Sequence, residues 1–140
     1  DGRLIDQTTG RDIAVVEPES GIGAISDSFF SYDNSAVAIV YSYHTRILDA
    51  RSGEQRALLC ETLNGASGGA FSADGKYLID VMPIDTDTEH VAVWDTATGA
   101  IIARVPIVRG STWDIDISAD AQLIAISTQR GVSSIYRLTP

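Results

Sequence analysis

The sequence is poor in the residue types on which several classes of function depend. Cys60 is the only cysteine, so no intrachain disulfide can form and no thiolate cluster can hold a metal. There are 10 basic residues against 19 acidic ones, a net charge of −9, and no cluster of lysine and arginine interrupts this balance. Such a chain repels phosphate groups, so neither nucleic acid nor an anionic membrane is an expected partner.

Long apolar runs and helical periodicity are also missing. The longest apolar stretches, such as 36–41 and 101–108, fall well short of a membrane span. No stretch repeats its apolar residues at the 3.6-residue spacing of an amphipathic helix. A single cysteine is compatible with a reducing compartment. We therefore expect a cytoplasmic location.

What the sequence does contain is an internal repeat. Each copy consists of two apolar residues, an Asp and, four residues after the Asp, a glycine. The aspartates of the three copies are Asp6, Asp49 and Asp95. These positions are 43 and 46 residues apart, and a degenerate fourth copy places Arg137 42 residues after Asp95. Asp accepts hydrogen bonds from backbone amides two or three residues on, and glycine permits the left-handed conformation that closes a turn. The repeat therefore predicts a strand that ends in a tight turn.

A second signature keeps the same period independently. It consists of an apolar residue, Ser, any residue and Asp, with intervals of 41 and 46 residues. Its copies are Phe30-Ser-x-Asp33, Phe71-Ser-x-Asp74 and Ile117-Ser-x-Asp120. The Ser and the Asp are expected to supply turn hydrogen bonds, and the large apolar side chain is expected to pack between layers. Four residues beyond each Asp the sequence is apolar again, which predicts the next buried strand.

The two signatures divide a single domain, residues 1–140, into four units of short strands. The units are 1–20 (partial), 21–61, 62–108 and 109–140 (partial). A period of 41–46 residues with four strands in each unit is typical of β-propeller blades. We therefore predict an all-β fold of about three blades, each a four-stranded antiparallel sheet. Because a closed propeller needs at least four blades, the chain is expected to be a fragment of a larger ring, or to close with further copies.

The unit from Ala70 to Val105 resembles the WD-repeat β-propeller family. Its Phe-Ser-x-Asp-Gly element is followed by Val-Ala-Val-Trp94-Asp95 and by Thr-Gly. Trp94 is expected to wedge between blades. The family's Gly-His dipeptide is absent, since 64–65 and 109–110 read Asn-Gly and Arg-Gly. Propellers with Tyr-Val-Thr-Asn-type repeats resemble Asp95-Thr-Ala-Thr-Gly and the strand after it almost as well.

The resemblance implies a scaffold that presents loops to a protein partner, and neither enzymatic activity nor a cofactor is expected. Trp and Arg are enriched in binding hot spots, and Arg109, Trp113 and Asp114 stand where an inner strand begins. Tyr43 and His44 lie in a hairpin and complete the set of candidate partner contacts. The alternative is a propeller enzyme or redox protein whose catalytic or cofactor groups lie outside these 140 residues.

Candidate metal ligands are confined to one loop. Asp85, Asp87 and Glu89 alternate there, and oxygen-rich loops can hold calcium. The EF-hand pattern is nevertheless absent, because the loop lacks the glycine and the final glutamate that this motif requires. A solvated hairpin tip is the favoured interpretation, and the three carboxylates remain a weak alternative.

Candidate catalytic side chains are equally sparse. His44 and His90 are the only imidazoles, both expected near loop ends, and two histidines cannot form a three-histidine zinc site. Cys60 has no basic neighbour that would activate it, so an inert, partly buried thiol is expected. No catalytic triad is recognisable. No catalytic residue is predicted.

Overall fold

The computed structural model describes residues 2–16, 24–60, 68–83, 88–108, 112–128, 131 and 133–138. Within these ranges the regular structure is entirely extended, with no helix. The strands are β1 (Gly2–Ile5), β2 (Asp12–Val16), β3 (Ile25–Phe30), β4 (Ala36–Tyr41), β5 (Thr45–Asp49), β6 (Gln55–Leu59), β7 (Gly69–Phe71), β8 (Tyr77–Pro83), β9 (Thr88–Asp95), β10 (Ile101–Val108), β11 (Thr112–Ile117), β12 (Leu123–Thr128) and β13 (Ser133–Arg137).

The strands form four antiparallel sheets in chain order. Strands β3 to β6 make one four-stranded sheet, blade A, and β7 to β10 make a second, blade B. Strands β1 and β2 form a two-stranded first sheet, and β11 to β13 form a three-stranded sheet, blade C. The predicted all-β class with four-stranded antiparallel blades is confirmed.

The apolar runs and turns of the sequence predict most strand bounds to within one or two residues, and the exceptions are β3, β7 and β10, predicted at 22–31, 65–72 and 100–105. Strand β3 begins at Ile25, and residues 22–23 lie outside the described ranges. Strand β7 begins at Gly69 instead of residue 65, and residues 65–67 lie outside the described ranges. Strand β10 runs on to Val108, beyond the expected end at Val105. The extension follows from pairing, because Val108 lies opposite Thr88 at the start of the long strand β9.

The turn between the third and fourth strands is built alike in the first sheet and in blades A and B. One Asp49 oxygen accepts backbone N–H groups from Arg51 and Ser52, both at 2.9 Å. Asp6 and Asp95 bond the residues two and three positions on in the same way. The glycines that close these turns, Gly10, Gly53 and Gly99, have φ of 68°, 74° and 72°.

The turn between the first and second strands of each blade is a three-bond network. In blade A the Ser31 hydroxyl donates to Asp33 at 2.7 Å and accepts the Ala36 N–H at 2.9 Å, while Asp33 accepts the Ser35 N–H at 3.0 Å. Blades B and C repeat these bonds from Ser72 and Ser118. The signature therefore specifies the turn through contacts that span five residues or fewer.

Successive sheets pack face to face, with one apolar cluster in each gap. The first cluster joins the first sheet to blade A, the second joins blade A to blade B, and the third joins blade B to blade C. Blade A is covered on both faces, so all six residues of β4 are buried. This explains why that strand is continuously apolar instead of alternating. The apolar residues that start the second strands, Val37, Leu78 and Ile124, are buried as expected.

Phe30 departs from the predicted packing between layers. Phe71 and Ile117, its counterparts in blades B and C, are 9% and 6% exposed, whereas Phe30 is 53% exposed. Phe30 ends the innermost strand of blade A, and the described part of the first sheet contributes only β1 and β2, which correspond to the third and fourth strands of a blade. The described residues therefore cover Phe30 only in part, and it lines a cavity of about 690 Å³ with Leu4 and Ile25.

Gly53 places a turn of blade A directly on the first sheet. A Cβ added to Gly53 would lie 2.6 Å from the Cβ of Ala14, whereas one added to Gly10, in the equivalent turn, would meet nothing within 4 Å. Both glycines have a left-handed backbone, so alanine is expected to cost about 1–2 kcal/mol at either position. Gly53→Ala should cost about 1–3 kcal/mol more than Gly10→Ala, because of the overlap with Ala14.

Urea denaturation of the two single variants measures this difference in the free energy of unfolding. The double variant Gly53→Ala with Ala14→Gly removes the Cβ that collides and should recover most of the excess. Equal losses for Gly53→Ala and Gly10→Ala would show that the turn of blade A does not press against β2.

Candidate functional site

The loops of the blades lie at two opposite ends. The turns after the first and third strands lie at one end, which we call the turn end; they include residues 31–35 and 49–54. The hairpin Ser42-Tyr43-His44 and the start of β11 lie at the other, the hairpin end. In the described residues the turn end is thus built of hydrogen-bonded tight turns.

The turn end carries a row of ionised carboxylates that are occupied by their own turns. Hydrogen bonds lower the pKa of each of six aspartates. Backbone N–H donors dominate for Asp6, Asp33 and Asp95. The Arg56 guanidinium dominates for Asp49, and serine hydroxyls dominate for Asp74 and Asp120. These groups hold the loops in place.

The predicted partner contacts that the structure describes lie at the hairpin end. Tyr43 is 50% exposed at the tip of the β4–β5 hairpin. Asp114 is exposed near the start of β11, where one carboxylate oxygen accepts the N–H of Ile115 at 3.0 Å. Trp113 belongs to β11, but its side chain and all of Arg109 lie outside the description. Tyr43 and Asp114 belong to different blades and share an end of the molecule.

His44 has a different position from the one expected of a partner contact. Its side chain is 6% exposed, and its ring stacks on Tyr41 with centroids 4.5 Å apart and planes 12° apart. Burial lowers the pKa of His44 and raises that of Tyr41. The Arg46 guanidinium lies 5.4 Å from the centroid of the Tyr41 ring. His44 therefore packs as a neutral ring under the hairpin that exposes Tyr43.

The other predicted side chains are divided between described and undescribed segments. Asp85 and Asp87 lie outside the described ranges, Glu89 lies in β9, and the weak metal site stays a prediction. No group of three potential metal ligands occurs among the residues that the structure covers. His90 is buried in the interior of β9 and not at a loop end, because β9 begins two residues earlier, at Thr88.

Cys60 differs from its prediction as well. The thiol was expected to be partly buried, but it is exposed, because the chain leaves the sheet after Leu59, the buried last residue of β6.

Within the described ranges no helical segment has the length and apolar character needed to cross a bilayer.

A buried polar pair, absent from the sequence predictions, lies on the face of blade B that packs against blade A. Trp94 is 2% exposed and wedges between these blades, as expected. Its indole N–H donates to a carboxylate oxygen of Asp80 at 2.9 Å. Asp80 is fully buried, and its second oxygen has no hydrogen-bond partner among the described residues. Burial raises the pKa of Asp80 to about 7, against the opposing effect of the Trp94 hydrogen bond.

The pair is specific to blade B. The positions that correspond to Asp80 and Trp94 are Ile39 and Leu48 in blade A, and Ile126 and Tyr136 in blade C. Blade B thus has an acidic residue at a position where blades A and C have isoleucine, and it has tryptophan at the position paired with this change. A single acidic residue in the otherwise apolar strand β8 was the available signal, but only the sheet packing shows that this side chain faces blade A. Asp80 is shielded from solvent, which gives it a structural role.

Comparison with known proteins agrees with this architecture. No protein-family model matches the sequence, and no curated protein matches it. The structure is similar to the C-terminal WD40 domain of Sif2, with a TM-score of 0.66 and 14% identity over 81% of this chain and 31% of that one. It is also similar to the β-propeller domain of Myceliophteria thermophila Cps50 (Swd1), with a TM-score of 0.64 and 16% identity over 84% of this chain and 38% of that one.

The chain therefore spans about a third of the length of these two solved structures. At such low identity the likeness concerns the fold, and it agrees with the sequence motifs, the four-stranded sheets and the face-to-face stacking described above. The chain is built of β-propeller blades, and its fold is similar to that of these two propeller domains.

Proposed function

We propose that the chain is a rigid scaffold that binds a protein partner through the hairpin end of its blades. The observation that carries the proposal is the exposed Tyr43, held on a hairpin whose base is the buried stack of His44 and Tyr41. A rigid aromatic side chain on an ordered hairpin binds at a low cost in conformational entropy. Arg109, Trp113 and Asp114 complete the proposed surface.

The contrast between the two ends supports this choice. At the turn end the carboxylates and serine hydroxyls are occupied by bonds within their own turns. At the hairpin end Asp114 is exposed, and within the described ranges its side chain accepts a hydrogen bond only from the N–H of Ile115. Catalysis by these side chains is not part of the proposal. A cytoplasmic location is proposed with it, on the sequence arguments alone.

Affinity capture of proteins from the source cells, quantified by mass spectrometry, tests the proposal. Tyr43→Ala and Asp114→Ala should each reduce retention of a specific partner by about tenfold or more, the size of a moderate hot spot. Arg109→Ala and Trp113→Ala extend the test to the rest of the surface. Tyr32→Ala is the matched control, since Tyr32 is 85% exposed but lies at the turn end.

Circular dichroism must show that every variant remains folded. A partner lost from Tyr32→Ala but retained by Tyr43→Ala would place the interaction at the turn end. Retention that none of the substitutions changes would refute the proposed surface.

A further inference from the structure

The gap between blades A and B contains buried polar atoms that have no hydrogen-bond partner among the described residues. One oxygen of the Asp80 carboxyl accepts the Trp94 N–H, but the other is without a partner there. Thr45 of blade A is fully buried, and its hydroxyl is also without a partner. Thr45 lies opposite Leu59, which belongs to the cluster between blades A and B, so it faces the same gap. The two blades thus meet across polar groups that burial penalises.

The neighbouring gaps are apolar at the corresponding place. Ile39 of blade A packs in the gap to the first sheet, and Ile126 of blade C packs in the gap to blade B. Strand hydrogen bonds run within each sheet, and in the described residues no backbone hydrogen bond crosses from blade A to blade B. Side-chain packing therefore holds these two blades together, and a charge placed in their gap opposes that packing directly.

Further ionisable side chains of the described residues face this gap or lie at its margins. His90 is buried on the same face of blade B as Asp80, opposite Met82 and one residue pair away. The others are exposed or half-buried at the margins: Asp27, Asp49 and Arg56 of blade A, and Asp74, Lys76 and Arg104 of blade B. Asp80 is thus the acid that lies inside the gap, and burial raises its pKa to about 7.

We propose that ionisation of Asp80 opens the gap between blades A and B, so that the first sheet and blade A part from blades B and C while every sheet stays intact. A carboxylate is stabilised by water, and parting the two packed faces admits water without breaking a strand hydrogen bond. Tyr43 belongs to blade A and Asp114 to blade C, so the opening also divides the proposed partner surface. The test below does not depend on that surface.

Thiol labelling in a Cys60→Ser background measures this opening. Ala38→Cys places a thiol in the gap between blades A and B, and the matched control Val91→Cys places one in the gap between blades B and C; both positions are fully buried. Each labelling rate is divided by that of free cysteine at the same pH, because the thiolate fraction of any thiol also rises with pH.

The corrected labelling rate of Ala38→Cys should rise about tenfold from pH 6 to pH 8 and then level off, because the ionised fraction of Asp80 rises by that factor over this range. The corrected rate of Val91→Cys should change by less than about twofold, since its gap contains no such acid. In the variant Asp80→Asn, which does not ionise, the corrected rate of Ala38→Cys should be independent of pH. His90 is present in both chains, so this comparison removes any contribution from its titration.

Ala57→Cys, in the same gap, replaces Ala38→Cys if the larger side chain prevents folding. Asp80→Ile, the residue of blades A and C at this position, replaces Asp80→Asn for the same reason. A corrected rate in the gap between blades A and B that does not change with pH, or that rises equally in the Asp80 variant, would overturn the proposal. An equal rise at Val91→Cys would overturn it too, because the whole fold would then be opening.

Discussion

Replacing Trp94 with alanine is expected to lower the free energy of unfolding by about 3–5 kcal/mol. The indole is almost completely buried in the cluster that joins blades A and B, and its N–H is the donor to Asp80. Alanine leaves a cavity and also removes the hydrogen bond to a buried carboxyl group. Because domains are commonly stable by only about 5–15 kcal/mol, the variant should be marginally folded. Urea denaturation followed by far-ultraviolet circular dichroism measures the loss.

Two further variants separate packing from hydrogen bonding. Trp94→Phe keeps most of the buried volume and removes the donor, so it should lose about 1–3 kcal/mol, the cost of an unsatisfied buried polar group. The double variant Asp80→Ile with Trp94→Leu copies the Ile39 and Leu48 pair of blade A, and should be more stable than Trp94→Leu alone. A Trp94→Ala variant that unfolds at the same urea concentration as the wild type would show that Trp94 does not hold the blades together.

The free energy of unfolding is expected to fall by about 4 kcal/mol between pH 4 and pH 8 on account of Asp80. Burial raises the pKa of this carboxyl from 3.8 to about 7 in the folded chain, which corresponds to about 4 kcal/mol. Between these two pH values the folded state binds a proton that the unfolded state has released, so stability decreases as the pH rises. At pH 7 about half of the folded chains still hold the proton, so the loss is complete only near pH 8, where both states are ionised.

Asp80→Asn isolates this effect, since asparagine can still accept the Trp94 N–H but does not ionise. The difference in stability between the variant and the wild type should grow in favour of the variant from pH 4 to about pH 8 and then level off. His44, whose pKa burial lowers, contributes an opposite slope in this range, but it does so equally in both proteins. A difference that does not change with pH would show that Asp80 is not buried as a carboxyl group in the folded chain.

The turns and the fold class were predictable because they depend on short-range chemistry. The bonds of Asp49 and Ser31 reach residues no more than five positions away, so the residues that specify each turn are adjacent in sequence. The same reasoning located most strands between the turns. It also placed Trp94 between blades, since a large apolar ring in an alternating strand must be covered by another layer.

Phe30, His44, Cys60 and Asp80 show where prediction from sequence fails. Phe30 matches Phe71 in motif, yet it is exposed because the first sheet covers only part of its face. His44 lies in a hairpin, as expected, but its ring turns inward onto Tyr41. Burial in these cases depends on which sheet lies opposite, and that contact involves residues far apart in the chain.

For this protein, the order of strands and turns follows from hydrogen bonds and apolar alternation within a few residues, so the amino-acid order alone was sufficient to establish blades and their period. The buried acid beside Trp94 and the partly exposed Phe30 were decided by the stacking of sheets. Whether a side chain is covered, and whether a strand has a neighbour on each side, depends on long-range packing that no local pattern records.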